Sequence, residues 1–357
     1  MPYEILNAKE FTPDLASVWD NFLGVNEDFS SPFFAHEFAM AVGRHRPDLR
    51  IAVLRNGGEV TGFLPFHLKR GGCAAPVGGQ ICDYQGIIGE AAGPGRRGAS
   101  LMRECGLSSY DFNHGLAGQG LLSDNAFSFS ASMRADLRGG LEDWEAEIRA
   151  KSKQLAKLKR MTRKIEREQG ELRFVAHDRS DEAWRSFVGW KDKALRDQGA
   201  AGFPGPGWMS DLLQDIRNTD TPRFAGLFST LYAGDRMISA HFGMRSDRAW
   251  HWWFPSYDPE MQQYAPGLLL LRACIEEAAG IGLKELDFGR GTQLYKMQYG
   301  TRARQLCEGS LERLETASGA IRAGRKALQR LANRALPEQT SVLLRRAGTK
   351  ALQAGSI

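Results

Sequence analysis

Apolar and polar positions alternate with the two-residue period of a folded-back strand at two distant places in the chain. Segments 51–55 (IAVLR) and 60–66 (VTGFLPF) read as strands joined over Asn56, Gly57 and Gly58, residue types that accept the positive φ of a hairpin turn. Much later, 224–232 (FAGLFSTLY), 237–243 (MISAHFG) and 249–254 (AWHWWF) read as three more strands, the first two joined over Ala233, Gly234 and Asp235. Each hairpin ends on a strand with a late phenylalanine, Phe66 or Phe242. This echo predicts an internal duplication.

Between the echoes the period lengthens to that of a helix. Over 141–169, Ile148, Leu155, Leu158, Thr162 and Ile165 share one face, and Gly170 stops the run. The other face carries Lys151, Lys153, Lys157, Lys159, Arg160, Arg163, Lys164 and Arg167. It reads either as a surface for an anionic substrate or membrane, or as an ordinary solvated face. A helix over 181–196 precedes a Gly- and Pro-rich loop at 199–207, which reads as a cleft cover or a plain connector. The apolar helix 267–279 starts behind Pro266 and stops at Gly280 and Gly282. A strand at 284–288, a short helix at 293–299 and a strand region at 305–314 follow. Strands and helices in this order predict an α/β fold with a mixed sheet, not an all-parallel one. The expected division is an N-terminal domain 1–140, a C-terminal domain 141–315 and a basic helical tail 316–357.

Charge changes this picture at one end. From Thr316 onward eight basic residues face only Glu338, so the tail carries +7 of the net +5 and the rest of the chain is slightly acidic. The basic balance therefore does not imply a nucleic-acid-binding body. In the tail, Ile321, Leu328, Leu331 and Ala335 recur at heptad-like spacing, and Val342, Leu343, Leu344 and Leu352 follow Pro337. Apolar stripe and cations together predict either weak peripheral contact with an anionic membrane or a helix docked on a protein surface. The five cysteines are odd in number, widely spaced and without a CxxC pair, which suits a reducing compartment. The N-terminus MPYEILNAKEF lacks a basic stretch followed by an apolar core. A cytoplasmic protein, peripheral at most to the inner face of the membrane, is expected. No His, Cys, Asp and Glu set has metal-ligand spacing along the chain, so no metal is expected. The Walker A loop and the Gly-x-Ser-x-Gly elbow are absent.

The informative stretch lies between Trp250 and Gly300. Gln262, Ala265, Gly267 and Leu268 stand at the entry to the apolar helix, whose free amides and dipole suit a phosphate. An ordinary Pro-Gly helix start is the alternative. Next come Asp287-Phe288-Gly289-Arg290-Gly291, then Tyr295-Lys296 and Tyr299-Gly300. The run YAPGLLLLRACIEEAAGIGLKELDFGRGTQLYKMQYG resembles the acetyltransferase domain of the CelD family of cellulose biosynthesis, within the GNAT superfamily. It is also similar to the Fem-type peptidoglycan aminoacyl transferases, with their D-F-G-R motif. Weaker similarity touches Ser31-Pro32-Phe33 and Asp83-Tyr84.

The resemblance implies two tandem GNAT-like domains and a Q/R-x-x-G-x-G/A turn for the donor pyrophosphate. Gln262, Ala265 and Gly267 match that turn, with Ala for its first Gly. It implies acetyl-CoA or another acyl-CoA as co-substrate, and a sugar nucleotide or glycan precursor as acceptor. An acyl thioester meeting an amine needs a base, donors for the oxyanion, and little help for the thiolate. Asp287 is the candidate base, or else a structural carboxylate binding the glycine turn. Tyr295 is the candidate acid or a core aromatic. Lys296 binds a phosphate or the oxyanion, or is merely solvated. Arg290 is a candidate anion clamp. His241 and His251, on neighbouring strands, read as a relay or as satisfied core histidines, with His241 kept as a substrate-binding candidate. Asp83 and Tyr84 are placed at the acceptor groove by the resemblance alone. Two rival readings remain: a Fem-type transferase using aminoacyl-tRNA, in which alone nucleic acid is a partner, and a catalytically inactive, membrane-associated scaffold.

Overall fold

The computed structural model describes residues 3–90, 97–291 and 293–335. Among these residues thirteen strands form one mixed sheet. They are β1 (Tyr3–Leu6), β2 (Leu49–Asn56), β3 (Glu59–Leu68), β4 (Cys73–Pro76), β5 (Ile88–Gly89), β6 (Ser109–Leu116), β7 (Ala126–Asp136), β8 (Leu172–Val175), β9 (Ala225–Ala233), β10 (Arg236–Arg245), β11 (Ala249–Tyr257), β12 (Glu285–Arg290) and β13 (Arg302–Glu312). The order across the sheet is β1-β2-β3-β4-β6-β13-β7-β12-β11-β10-β9-β8, with β5 beside β3.

Read inward from either edge, the pattern is the same. Four antiparallel strands lead to one parallel neighbour, β4 with β6 at one end and β11 with β12 at the other. The echoing hairpins of the sequence, β2–β3 and β9–β10, hold equivalent places in this order. At the centre β7 and β13 pair antiparallel, and each lies beside the opposite half: β7 against β12, β13 against β6. Neither half closes its sheet without a strand from the other.

Helices cover both faces, because strands buried on both sides need cover on both. The long basic segment is two helices, Gly140–Lys151 and Gln154–Gln169, not the continuous helix expected. The break has a local cause: Ser152 is extended, and its Oγ accepts the Gln154 amide at 3.4 Å. The apolar face is as expected, with Ile148, Leu155, Leu158 and Ile165 buried under the second half of the sheet. One core spans the halves: Phe38, Phe63, Phe187 and Phe228 belong to a single buried cluster. No described helix is long and apolar enough to cross a membrane.

The helix Ala317–Ala335 lies on the body with its cations inward. Arg322 pairs with Asp111 at 2.9 Å, Lys326 pairs with Glu312, and Arg330 donates to the Ala126 carbonyl at 2.8 Å. The apolar stripe points out: Ile321, Leu328 and Leu331 are 58%, 68% and 60% exposed. This is the docked arrangement, with the cations satisfying acceptors on the central strands β6, β13 and β7. The side chains of Arg334 and Ala335, and positions 336–357 with Arg345, Arg346, Lys350, Val342, Leu343, Leu344 and Leu352, lie outside the described residues.

The Lys326–Glu312 pair is almost buried, and the second Glu312 oxygen has no partner. Lys326→Met therefore strands a buried carboxylate and should lower the unfolding free energy by about 3 kcal/mol. Arg325→Met, at an exposed position, should change it by under about 0.5 kcal/mol. Urea denaturation measures both; equal losses would mean that the helix does not dock through its cations.

Candidate active site

β11 and β12 run side by side for only three residue pairs, Ala249–Glu285 to His251–Asp287. Beyond them the strands part. β12 continues along β7, and β11 follows β10. Immediately after His251 the β10–β11 ladder slips, so that Trp252 and Trp253 stand opposite the single residue Gly243. Bulges of this kind re-aim side chains beside functional sites. The result is a wedge between strands, and from Trp252 onward the β12-facing edge of β11 has no strand beside it.

A buried charge relay closes the narrow end of the wedge. His251, on β11, is 0% exposed. Its Nε2 meets Asp83 Oδ2 at 2.9 Å, and its Nδ1 lies 3.6 Å from Asp287 Oδ1, an ion-pair distance too long for a hydrogen bond. Burial opposes a charge here, but the two carboxylates outweigh it and push the imidazole up to about 9. His251 is thus an imidazolium at neutral pH. Burial likewise opposes ionisation of Asp287, yet His251, Arg304 and Tyr84 hold its carboxyl well below the usual range. Asp287 is saturated with donors: Tyr84 Oη, Ser132 Oγ at 3.0 Å and the Gly289 amide at 2.7 Å. The Gly289 bond is the turn-binding arrangement that stood as the alternative to a base.

Asp83 is the outer member, with its side chain 26% exposed. Burial again opposes its charge and His251 more than restores it, leaving a lowered pKa. Gly289 sits against it at φ +71°, where a Cβ would come within 3.0 Å of Asp83 Oδ2 and 3.5 Å of His251 Cε1. Both the backbone and the space therefore demand glycine. Behind the relay, Arg304 from β13 joins Glu285 and Ser30 at 3.2 and 2.9 Å, and Arg134 from β7 joins Glu285 at 2.6 Å.

The other candidates fall around this centre. Lys296 is buried, and its Nζ donates to the carbonyls of Gly289 and Arg290 at 3.1 and 2.8 Å, pinning the glycine turn. Burial lowers its pKa. Arg290 donates to the Asn113 carbonyl at 2.8 Å, across to β6. Tyr295 packs on Phe288, and burial pushes its hydroxyl up to about 12. His241 is buried away from Asp83: it stacks on Trp252 at 4.0 Å, accepts the Trp253 amide at 3.0 Å, and is held neutral by burial. It faces Pro255 across the ladder, not His251.

At the helix Pro266–Gly280, Ala265 takes the left-handed conformation (φ 54°), the sole described non-glycine with positive φ. Such a residue is strained by on the order of 1 kcal/mol. Its amide bonds the Gln262 carbonyl at 3.0 Å, and its carbonyl accepts from Leu268 at 2.9 Å. A Cβ at Gly267 would meet only the Tyr257 ring at 3.7 Å, so packing within the chain does not require glycine there.

The sequence reading missed Ser132, Glu285, Arg304 and Arg134, and left His251 undecided. Each alternates unremarkably within a strand. Only the exchange of β7 and β13 between halves brings them to one point.

Residues 152–297 match the family described as acetyltransferase (GNAT) domain. The matched span contains the wedge, His251, Asp287 and the helix entry. The chain carries a GNAT acyltransferase domain. Two solved structures share its fold over most of their length. FemX aligns with a TM-score of 0.57 at 9% identity, covering 86% of this chain and 96% of its own. The C-terminal domain of a protein described as a lysylphosphatidylglycerol synthetase, from Agrobacterium fabrum, aligns with a TM-score of 0.50 at 9% identity, covering 80% and 91%. Among curated proteins nothing matches the chain. The GNAT domain is thus set in a larger FemX-like fold, and Asp83 and Tyr84 reach its relay from outside the matched span.

The charge on His251 predicts a pH dependence with a definite sign. Its folded pKa of about 9 lies above the unfolded value of 6.5. The stabilisation is therefore complete below about pH 6.5 and lost as pH rises through about 9. Relative to His251→Gln, the wild-type protein should lose on the order of 3 kcal/mol between those limits. Denaturant melts across that range test this; a pH-independent difference would mean a neutral imidazole.

Proposed function

We propose that the chain is an acyl-CoA-dependent acyltransferase whose acceptor is an amine on a sugar-containing cell-envelope precursor. One observation carries the reading: among the described residues, a backbone bridge enters the wedge between β4 and β6, and none enters that between β11 and β12. In the first half, the β4–β6 wedge takes Gln85, which bridges to Gly115 and whose Oε1 accepts the amides of Asn113 and His114 at 2.8 and 3.0 Å.

In this reading the thioester lies along the free edge of β11, with its pyrophosphate on the amides around Gly267. That only the Tyr257 ring, at 3.7 Å, would touch a Cβ at Gly267 supports that placement, as does a strained Ala265 turn feeding the helix. The acceptor nitrogen hydrogen-bonds to Asp83 and attacks the thioester carbonyl carbon. Backbone amides of β11 receive the oxyanion. Once the C–N bond forms, the nitrogen becomes strongly acidic, and a weak carboxylate base is enough to take its proton. Collapse breaks the C–S bond and releases the CoA thiolate. His251 positions Asp83 and keeps it ionised, and Asp287 and Tyr84 hold His251. An alcohol nucleophile would need a stronger base than Asp83, so an amine suits the site better. Aminoacyl-tRNA as donor is the competing reading. Contact with an anionic membrane, if made by the described part of the tail, falls to the Ile321–Leu331 stripe.

Thermal melts with acetyl-CoA, longer acyl-CoAs and aminoacyl-tRNA separate the readings: a CoA-dependent rise supports this one, and a rise with aminoacyl-tRNA alone overturns it. Asp83→Asn should keep the CoA-induced rise and lower kcat by roughly 10²-fold or more; unchanged turnover would remove Asp83 from the chemistry. Gly267→Glu places bulk and negative charge before the helix amides and should abolish the CoA-induced rise in a protein that still melts cooperatively. A rise equal to wild type would move the pyrophosphate elsewhere.

A further inference from the structure

Away from the wedge, three ligating side chains converge between two N-terminal helices. Asp20 lies on the helix Pro13–Val25, and His36 and Glu37 open the helix His36–His45. His36 Nε2 is 3.6 Å from Asp20 Oδ1 and 3.6 Å from Glu37 Oε2. Those distances are too long for hydrogen bonds. They are, however, the separations of ligands around a tetrahedral ion, about 3.3–3.6 Å for bonds of 2.0–2.2 Å.

Each carboxylate spends its outer oxygen on an outer partner. Asp20 Oδ2 lies 3.6 Å from Arg223, and Glu37 Oε1 accepts from Thr221 at 3.3 Å. The inner oxygens, Asp20 Oδ1 and Glu37 Oε2, are buried with no partner. A third orphan points to a ligand independently. Ser31 is 2% exposed, its Oγ has no partner, and it lines the same cavity of about 20 Å³ as Asp20 and Glu37. That is room for one water-sized particle. Three residues with unpartnered buried oxygens line one small void, and two of those oxygens also face the His36 imidazole; leaving them all unsatisfied is costly unless something bridges them.

We infer that Asp20, His36 and Glu37 form a binding site for a divalent first-row cation, zinc foremost, with the Ser31 hydroxyl or a water completing a four-coordinate shell. One imidazole with two carboxylates is a borderline N/O donor set, which suits zinc better than magnesium or calcium. The two carboxylates balance the ion's charge, and Arg223 and Thr221 serve as the outer partners that orient metal-binding carboxylates. No such spacing is visible along the chain, because sixteen positions separate Asp20 from His36 and the helix packing joins them. The ion would staple the two helices on either side of Ser30 and Phe33, the segment that reaches Glu285 and the face of His251.

The test uses the full chain, stripped with a chelator, dialysed against zinc chloride and assayed for metal content, melting temperature and zinc affinity. One zinc per chain and a zinc-dependent rise in melting temperature are expected. Both should be lost in His36→Gln and Glu37→Gln, with affinity at least about 100-fold weaker. Cobalt substitution should give visible bands without a thiolate charge-transfer band. No stoichiometric zinc in the wild type, equal affinity in the folded variants, or a thiolate band from the buried cysteines would each overturn the assignment. Should His36→Gln fail to fold, Glu37→Gln and the cobalt spectrum still decide.

Discussion

The structure turns on one buried cation, His251. An imidazolium removed from water is tolerated only where its charge is repaid locally, and here two carboxylates do so, Asp83 at Nε2 and Asp287 facing Nδ1. Those carboxylates come from opposite halves of the chain. The ion triad therefore fixes the position of the loop after β4 against β11 and β12. Loss of either carboxylate would leave a buried charge without its counter-ion, a penalty of several kcal/mol. The surrounding charges follow the same logic: Arg304 lies between Glu285 and Asp287, and Arg134 completes Glu285. Tyr84, whose hydroxyl is kept protonated by burial and by Asp287, donates to that carboxylate instead of competing for its charge.

Location gives this triad its chemistry. The β11–β12 ladder ends at His251 and Asp287, and the bulge begins at the next residue. The strands part where the relay stands, so the one partly exposed member, Asp83, meets the opening. Glycine at 289 lets the β12 backbone pass within van der Waals reach of Asp83 and His251, and Lys296 ties that turn down through two carbonyls. The low basicity of Asp83 is a direct cost of the imidazolium behind it. A carboxylate so held gains a fixed orientation and loses proton affinity, which the proposed amine acylation tolerates because its nucleophile acidifies as it bonds.

Much of this was legible in the sequence, and the boundary is physical. The hairpins at 51–66 and 224–243 were readable because their alternation and glycine turns are local. So were the apolar helix behind Pro266 and the buried face of Ile148, Leu155, Leu158 and Ile165. The short strands Cys73–Pro76 and Leu172–Val175 were not, since four residues carry too little alternation. The break at Ser152 was hidden because both helices keep one apolar phase across it. At the site, Asp287 and Lys296 stood out through the glycine turn between them. Ser132, Arg304 and Glu285 did not, because their roles depend on which strand lies beside which. The tail shows the same limit: its amphipathic pattern was clear, but whether the cations or the apolar residues face the body depends on the acceptors that β6, β7 and β13 present.

The two ends of the sheet repeat one strand order, yet they have different fates, and the same loop decides both. After β4 the chain turns into the first wedge, where Gln85 bonds across to β6 and leaves no path for a ligand along that edge. Two residues earlier, the same loop delivers Asp83 and Tyr84 to His251 and Asp287. Trp253 Nε1 fastens it by donating to the Ile81 carbonyl at 3.0 Å. Filling the first wedge and completing the second are thus one structural event. A chain with two equivalent open wedges would have to release this loop, and the second would then lose Asp83, the partly exposed member of its relay. The asymmetry between the two ends of the sheet is in this sense a condition for the proposed site: one half gives up its own opening to supply the outer member of the other's relay.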